Sequence, residues 1–168
     1  KCFGVQQIGQ FDAITPHTTF RIASLSKGFA AVLTGLLVQE GVLHWDDPVI
    51  KYLPNFALKN NTHTQNLTIR HILSHTTGLP SHTFDNLLEA QVPYPAIREQ
   101  LKTAPCVWPV GQNYNYQNVI YSLIGEVIKS ATGSSYPDLV KRRLFLPLKM
   151  RDASMTRDAL LSNPNHAS

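Results

Sequence analysis

Phe20-Arg21-Ile22-Ala23-Ser24-Leu25-Ser26-Lys27 leads from an apolar, strand-like segment into a long apolar helical pattern. We predict a strand end through Ala23 and a helix over 24–40. Residues three apart on a helix share a face, so the Ser24 hydroxyl and the Lys27 amine are expected to lie together. A neutral amine placed there can accept the hydroxyl proton, which indicates a serine nucleophile and an acyl-enzyme intermediate. The alternative is a structural role, with Ser24 as a helix N-cap and Lys27 in solvent.

A second motif, Tyr116-Gln117-Asn118, is the only Y-x-N sequence in the chain. Asn118 is predicted to be the N-cap of an apolar helix over 118–131, which leaves Tyr116 on the preceding loop. A phenol on such a loop can relay a proton to a leaving group. The amide of Asn118 offers a donor and an acceptor to a substrate amide.

Taken with their order and spacing, these segments resemble the serine β-lactamase and penicillin-binding protein superfamily, closest to its class C-like branch. FRIASLSK at 20–27 resembles the nucleophile segment, and YQN at 116–118 resembles the Tyr-x-Asn motif. LTIRHILSHTTGLP at 67–80 is similar to the helix and loop between them, and 41–54 is similar to the connector.

The resemblance implies a role for each matched residue. Ser24 would be the acylated nucleophile and Lys27 its activating partner, while Tyr116 would act as the acid and base and Asn118 would contact substrate and Lys27. The oxyanion hole would combine the Ser24 N–H with a second N–H from a later strand. Expected substrates are a β-lactam, a D-Ala-D-Ala-type peptide or a small ester, because all three share this acylation chemistry. A non-catalytic binding or regulatory member of the same fold is the alternative.

The third motif of that superfamily, Lys or His followed by Ser or Thr and then Gly, does not occur in the sequence. We therefore expect an N-terminal fragment that lacks the C-terminal sheet strands and one oxyanion-hole donor. By itself such a fragment is expected to be inactive or weakly active.

The expected fold class is α/β (α+β), β-lactamase/transpeptidase-like, with a few sheet strands and a largely helical inserted domain. Strands are predicted at 3–8 and 18–22, and Gly133 is predicted to end the 118–131 helix in a left-handed conformation. Residues 1–54 are expected to form the N-terminal part of the α/β domain and residues 55–168 the helical domain. The other predicted helices are 48–53, 68–74, 94–103 and 136–145.

Seven histidines raise the alternative of a zinc-dependent hydrolase that uses His71 and His75, which are spaced i, i+4 on one predicted helix. No H-E-x-x-H motif accompanies them, and His75 is better explained as a hydrogen-bonded cap of the following turn, 76–79. We therefore expect no metal and no other cofactor.

The net charge of +4 is spread along the chain, and its one basic run is 141–143, so nucleic-acid binding is not expected. The sequence has no apolar run long enough to span a membrane. The expected partner is a small-molecule or peptide substrate, and the oligomeric state is left open. Pairing of Cys2 with Cys106 is also left open. The resemblance alone implies a periplasmic or secreted protein.

Overall fold

A computed structural model describes residues 1–167, and helices dominate this part of the chain. Short 3-10 segments precede the first helix at Ala23–Ser26, follow the sixth at Leu101–Thr103 and precede the seventh at Ile120–Ser122. A π-helical turn, Lys141–Phe145, follows the eighth helix. The α-helices are α1 (Lys27–Gln39), α2 (Val49–Tyr52), α3 (Asn61–Asn66), α4 (Ile69–Leu73), α5 (Asp85–Glu89), α6 (Tyr94–Gln100), α7 (Leu123–Thr132), α8 (Tyr136–Val140) and α9 (Arg157–Leu161).

The predicted helices are present, with small differences at their ends. The helix expected at 24–40 begins with the 3-10 turn Ala23–Ser26, and α-helical geometry starts at Lys27. Gly133 ends α7 in the left-handed region with φ 71°, as expected. Helices α3, α5 and α9 were not predicted, because none of them shows apolar residues repeated at helical spacing; α3, for example, is entirely polar.

The two segments expected as strands take part only in single bridges. Val5 forms an antiparallel bridge with Ala13, and Thr19 forms a parallel bridge with His166. Over residues 1–167 no longer strand is formed, so the expectation of a few sheet strands is met only loosely. A strand gains stability by pairing with neighbouring strands, and these segments have few such neighbours here.

The chain divides into two compact units by its internal contacts. Unit 1 contains Lys1–Leu33 and the segment that starts at Ser135, and unit 2 is Thr34–Ser134. These units do not coincide with the domains expected from the sequence, because 34–54 falls in unit 2 and the residues from 135 onward fall in unit 1.

Unit 2 has a core of aliphatic side chains from its helices. One face of α7 is fully buried, and it packs against α2 and α4. The Ser130 hydroxyl donates to the Tyr52 carbonyl at 2.8 Å, which fastens α7 to the end of α2. Core residues of this unit include Leu37, Leu43, Leu67, Ile69, Ile72, Ile97, Leu101, Leu123, Val127 and Ile128.

Unit 1 combines a small apolar core, which includes Leu139, Val140 and Leu144, with polar contacts to Asn165. The side chain of Asn165 bonds to Gln6, Thr15 and Thr18. Phe29 on α1 meets Phe145 edge to face, with ring centroids 5.4 Å apart. Several large apolar side chains of this unit remain exposed, among them Phe3, Ile8, Phe11, Leu146 and Leu148.

Among the described residues, no helix has the length and apolar character needed to cross a bilayer.

Candidate active site

Ser24 and Lys27 are in direct contact. The Lys27 amine donates a hydrogen bond to the Ser24 hydroxyl oxygen over 3.1 Å. Ser24 lies in the 3-10 turn and is exposed, whereas Lys27 is the first residue of α1 and is half-buried. The expected juxtaposition is therefore present. The N-cap alternative does not describe this site, because Ile22 occupies the cap position of the 3-10 turn and Ser24 lies inside it.

The backbone just before Ser24 is strained. Ala23 has φ 45°, in the left-handed region that a residue with a Cβ rarely adopts. The Ser26 hydroxyl donates to the Ala23 carbonyl and helps to hold this conformation. Strain of this kind persists where the surroundings impose it, often at functional sites. In this protein the strained residue directly precedes Ser24, whose side chain is exposed.

Tyr116 is held on a loop by bonds between two segments of unit 2. The His82 N–H donates to the Tyr116 carbonyl at 2.9 Å, and the Asn115 N–H donates to the His75 carbonyl at 2.8 Å. The Gln117 side-chain amide donates to the Pro80 carbonyl. The loop around 75–82 therefore determines where the Tyr116 backbone lies.

His75 lies at the centre of an aromatic cluster. Its ring is 4.7 Å from that of Tyr116, 5.0 Å from that of Tyr121 and 5.6 Å from that of Tyr114, centroid to centroid. Its Nδ1 accepts the Gln117 N–H at 3.1 Å. The prediction that His75 caps the following turn was wrong about its side chain, because the ring reaches across to the Tyr116 loop instead. Burial, and to a lesser degree the charge of Tyr116, raise the pKa of Tyr121 to about 12.

Asn118 has a different role from the predicted N-cap. Ser122 precedes α7, and Val119 precedes the 3-10 turn that leads into it. The Asn118 side-chain amide instead donates to Asp85 Oδ2 over 2.6 Å. Sequence reasoning missed Asp85, since a lone aspartate outside every predicted element carries no motif. The spacing of His82 and Asp85, three residues apart, was the only local signal.

The turn at Trp108–Gly111 packs closely on the segment after α4. The N–H groups of Val107 and Trp108 both donate to the Gly78 carbonyl, and the Gly111 N–H donates to the Thr76 carbonyl at 2.8 Å. Gly78 has φ 84°, and a Cβ there would overlap the Trp108 carbonyl oxygen. Only glycine fits this position without rearrangement.

His71, considered as a zinc ligand, and the nearby His63 and His82 have separate structural partners. His71 Nδ1 accepts the Thr68 N–H at 3.2 Å and completes a capping box at the start of α4. His63 Nε2 lies 2.7 Å from the Trp108 carbonyl oxygen, and His82 Nδ1 lies 2.7 Å from Asp85 Oδ2. Within residues 1–167 no three His, Cys, Asp or Glu side chains are grouped to hold a metal ion. Cys2 and Cys106 are not joined in a disulfide.

The four residues predicted from the sequence thus form two pairs. Ser24 and Lys27 belong to unit 1 and contact each other, while Tyr116 and Asn118 belong to unit 2, where the loop around 75–85 holds both.

Comparison with known proteins identifies several similar chains. Penicillin-binding protein 4* of Bacillus subtilis is 30% identical over 159 residues, which are 89% of this chain and 33% of that protein. The octameric penicillin-binding protein homologue from Pyrococcus abyssi superposes with a TM-score of 0.85 at 26% identity, over 98% of this chain and 39% of that chain. A β-lactamase/D-alanine carboxypeptidase from Yersinia pestis, solved with citrate, superposes with a TM-score of 0.71 at 25% identity, over 95% of this chain and 47% of that chain.

The chain therefore spans about a third of the length of the curated relatives it matches. A family model described as Beta-lactamase matches residues 1–167, which is almost the entire chain. Together with the penicillin-binding protein homologues among its structural neighbours, this match shows that the chain belongs to the β-lactamase family and has the β-lactamase/transpeptidase-like fold.

Proposed function

We propose that the protein is a serine hydrolase of the class C-like branch, and that Ser24 forms an acyl-enzyme with its substrate. The observation that carries this proposal is the 3.1 Å contact between the Lys27 amine and the Ser24 hydroxyl, at a strained turn that exposes the hydroxyl. Membership of the β-lactamase family supports it independently.

In the acylation step, the Ser24 oxygen attacks the carbonyl carbon of the substrate. The hydroxyl proton passes to the Lys27 amine, which must be neutral to accept it. The resulting tetrahedral intermediate carries a negative oxygen, and backbone N–H groups stabilise that charge. We assign one of these donors to the N–H of Ser24 and expect the other on a later strand, as in the family resemblance.

Tyr116 is proposed as the acid that protonates the leaving group as the carbon–heteroatom bond breaks. The same side chain, now a phenolate, then takes a proton from the water that attacks the acyl-enzyme. As the ester bond breaks and the acid product is released, the Lys27 ammonium returns its proton to the Ser24 oxygen and restores the hydroxyl. Asn118 is proposed to hydrogen-bond the substrate through its amide. The loop contacts that fix the Tyr116 and Gln117 backbone support these roles, because proton transfer requires a well-positioned donor.

The proposed substrates are β-lactams, D-Ala-D-Ala-type peptides and small esters. The Yersinia pestis neighbour is described as a β-lactamase/D-alanine carboxypeptidase, and another neighbour, from Streptomyces, as a D-stereospecific amidohydrolase. All of these substrates present a carbonyl carbon to the serine and differ chiefly in how fast the acyl-enzyme hydrolyses.

The test uses the full-length gene product that carries this chain. The protein is incubated with a fluorescent penicillin and, separately, with a fluorophosphonate, and the adduct is located by intact-mass and peptide mass spectrometry. We expect one adduct, on Ser24. Ser24→Ala should lose it, whereas Ser154→Ala, the same change at another exposed serine of unit 1, should keep it.

Undiminished labelling of the Ser24→Ala protein would overturn the nucleophile assignment. If the unaltered protein takes up neither probe, the alternative of a non-catalytic binding member of the same fold is favoured instead.

We further propose a periplasmic or secreted location, which only the family resemblance supports. Cell fractionation with detection of the full-length product tests it, and recovery in the cytoplasmic fraction would contradict it.

A further inference from the structure

We propose that Asp85 is a positioning residue that fixes the orientation of the Asn118 amide in the site. This inference rests on the function proposed above. It deepens that function, because it names a residue outside the Tyr-x-Asn motif that orients Asn118.

The chemistry of the contact fixes the direction of the amide. An ionised carboxylate has only acceptor atoms, so the Asn118 group that lies 2.6 Å from Asp85 Oδ2 is its NH2. The Asn118 carbonyl oxygen then points away from Asp85. The two ends of an amide are nearly alike in shape. If the carboxylate were removed, a flipped Asn118 amide would therefore fit the same space with its donor and acceptor exchanged.

The same carboxylate oxygen also connects Asn118 to the Tyr116 loop. Asp85 Oδ2 lies 2.7 Å from His82 Nδ1, and the His82 ring packs against the Tyr116 ring with centroids 5.4 Å apart. The His82 backbone N–H in turn donates to the Tyr116 carbonyl. Asp85 therefore contacts Asn118 directly and supports Tyr116 through His82.

This arrangement costs stability locally, which favours a functional explanation. The Asp85 side chain is only 15% exposed, and its Oδ1 is buried without a hydrogen-bond partner in the described part of the chain. An unsatisfied buried polar atom is unfavourable. His82 and Phe84, which precede Asp85 in the chain, both have left-handed backbones, with φ 58° and 64°. Backbone strain and an unpaired carboxylate oxygen thus occur together next to Asn118, and strain of this kind is commonest at functional sites.

The structural alternative is that Asp85 only stabilises the short helix α5, since a carboxylate in the first turn of a helix is favourable. The two explanations predict different results. A stabilising role changes the melting temperature, whereas a positioning role changes recognition of substrate through Asn118.

The experiment measures the second-order rate constant for acylation of the full-length gene product by a fluorescent penicillin. Asp85→Asn keeps the size of the side chain but lets the facing Asn118 amide adopt either orientation. We expect the rate constant to fall about tenfold, through weaker binding of the probe rather than a slower maximal rate. The matched control is Asp152→Asn, because Asp152 Oδ2 also lies 2.9 Å from a histidine, His17, but belongs to unit 1.

The deciding comparison is a double-mutant cycle with Asn118→Ala. If Asp85 acts through Asn118, then Asp85→Asn should have no further effect on acylation in the Asn118→Ala background. An equal effect of Asp85→Asn in both backgrounds, or no effect in either, would overturn the inference while leaving Ser24 acylation intact. A lower melting temperature with an unchanged rate constant would assign Asp85 to α5 alone. If the unaltered protein is not acylated, the proposed function fails, and this inference fails with it.

Discussion

The backbone N–H of Gln117 donates a hydrogen bond to Nδ1 of His75 over 3.1 Å, across a sequence separation of 42 residues. This bond joins the loop after α4 to the Tyr-x-Asn segment. It requires that Nδ1 of the buried His75 ring be unprotonated, because a protonated nitrogen cannot accept a hydrogen bond. The ring also stacks on Tyr116 and Tyr121, so one side chain supplies both a polar and an aromatic contact.

Two substitutions at His75 separate these contributions. His75→Phe keeps an aromatic ring but removes the acceptor, and the buried Gln117 N–H is left unpaired at a cost of about 1–3 kcal/mol. His75→Asn loses the ring but retains an acceptor, and asparagine tolerates the left-handed backbone at this position. We expect His75→Phe to reduce turnover of the full-length protein more than His75→Asn, with Ser24 labelling retained in both. The turnover of a chromogenic ester and labelling by a fluorescent penicillin are measured for both variants. A lower turnover in His75→Asn than in His75→Phe would contradict the prediction.

Lys27 and Tyr116 are expected to affect acylation and turnover to different degrees. Lys27→Ala removes the amine that contacts the Ser24 hydroxyl, so acylation should slow strongly, by about a hundredfold or more. Tyr116→Phe keeps the ring against His75 but removes the phenol, so it should chiefly slow turnover and let acyl-enzyme accumulate. Stopped-flow acylation and steady-state rates distinguish the two. Equal loss of both rates in the two variants would argue against this division of roles.

Gly78 is expected to be intolerant of any side chain. In Gly78→Ala the new Cβ overlaps the Trp108 carbonyl oxygen and the residue keeps a left-handed backbone, so we expect a loss of more than about 2 kcal/mol in the free energy of unfolding. Gly133→Ala is the matched control, because it has a similar φ but open space around its Cβ position, and should lose only about 1 kcal/mol. Urea unfolding of the full-length product measures both, and equal losses would show that the close approach does not matter.

Asp47 is expected to matter more for stability than its neighbour Asp46. Burial raises the pKa of Asp47, but hydrogen bonds from Lys51, Tyr52 and the His44 N–H outweigh it and lower the pKa to about 2. The Asp47 side chain is only 13% exposed, and Asp47→Asn weakens its hydrogen bonds. We therefore expect the free energy of unfolding to fall by about 2 kcal/mol. Asp46→Asn removes a more exposed ion pair with Arg70 and should cost much less. Urea unfolding of both variants near neutral pH measures the two losses. Equal losses of free energy of unfolding would contradict the prediction.

His71 should make stability depend on pH. Burial lowers the pKa of His71 from its ordinary value of 6.5, against a hydrogen bond at Asn66 and the charge of Asp46, which raise it. Because the folded state then binds the proton less readily than the unfolded state, the free energy of unfolding should fall as pH drops below 6.5. The loss is complete once pH lies below the lowered value.

His71→Gln tests this effect, because glutamine is a common capping-box residue and preserves the cap at Thr68. At about pH 8 the variant should match the unaltered protein in free energy of unfolding. Between about pH 7 and pH 5 its free energy of unfolding should fall less than that of the unaltered protein. Thermal melting across this range is the measurement. A variant that loses as much as the unaltered protein would exclude His71 as the source.

The sequence alone was sufficient wherever neighbours along the chain determine the geometry. Ser24 and Lys27 meet because residues three apart on a helical turn share a face, and Gly133 ends α7 because glycine adopts the left-handed backbone without steric cost. The apolar repeats predicted the longer helices for the same local reason. Helices α3, α5 and α9 escaped prediction, because their few residues carry no apolar repeat, and helices this short form only in contact with the rest of the folded chain.

Only the tertiary structure decided the contacts between distant residues. Asn118 looked like an N-cap from its position before an apolar helix, yet its amide bonds to Asp85, 33 residues away. His75 looked like a local cap, yet its ring supports the Tyr116 loop. A polar side chain in a folded protein bonds to whichever partner is brought close while water is excluded, and that partner is set by how the helices of unit 2 pack, which no local pattern encodes.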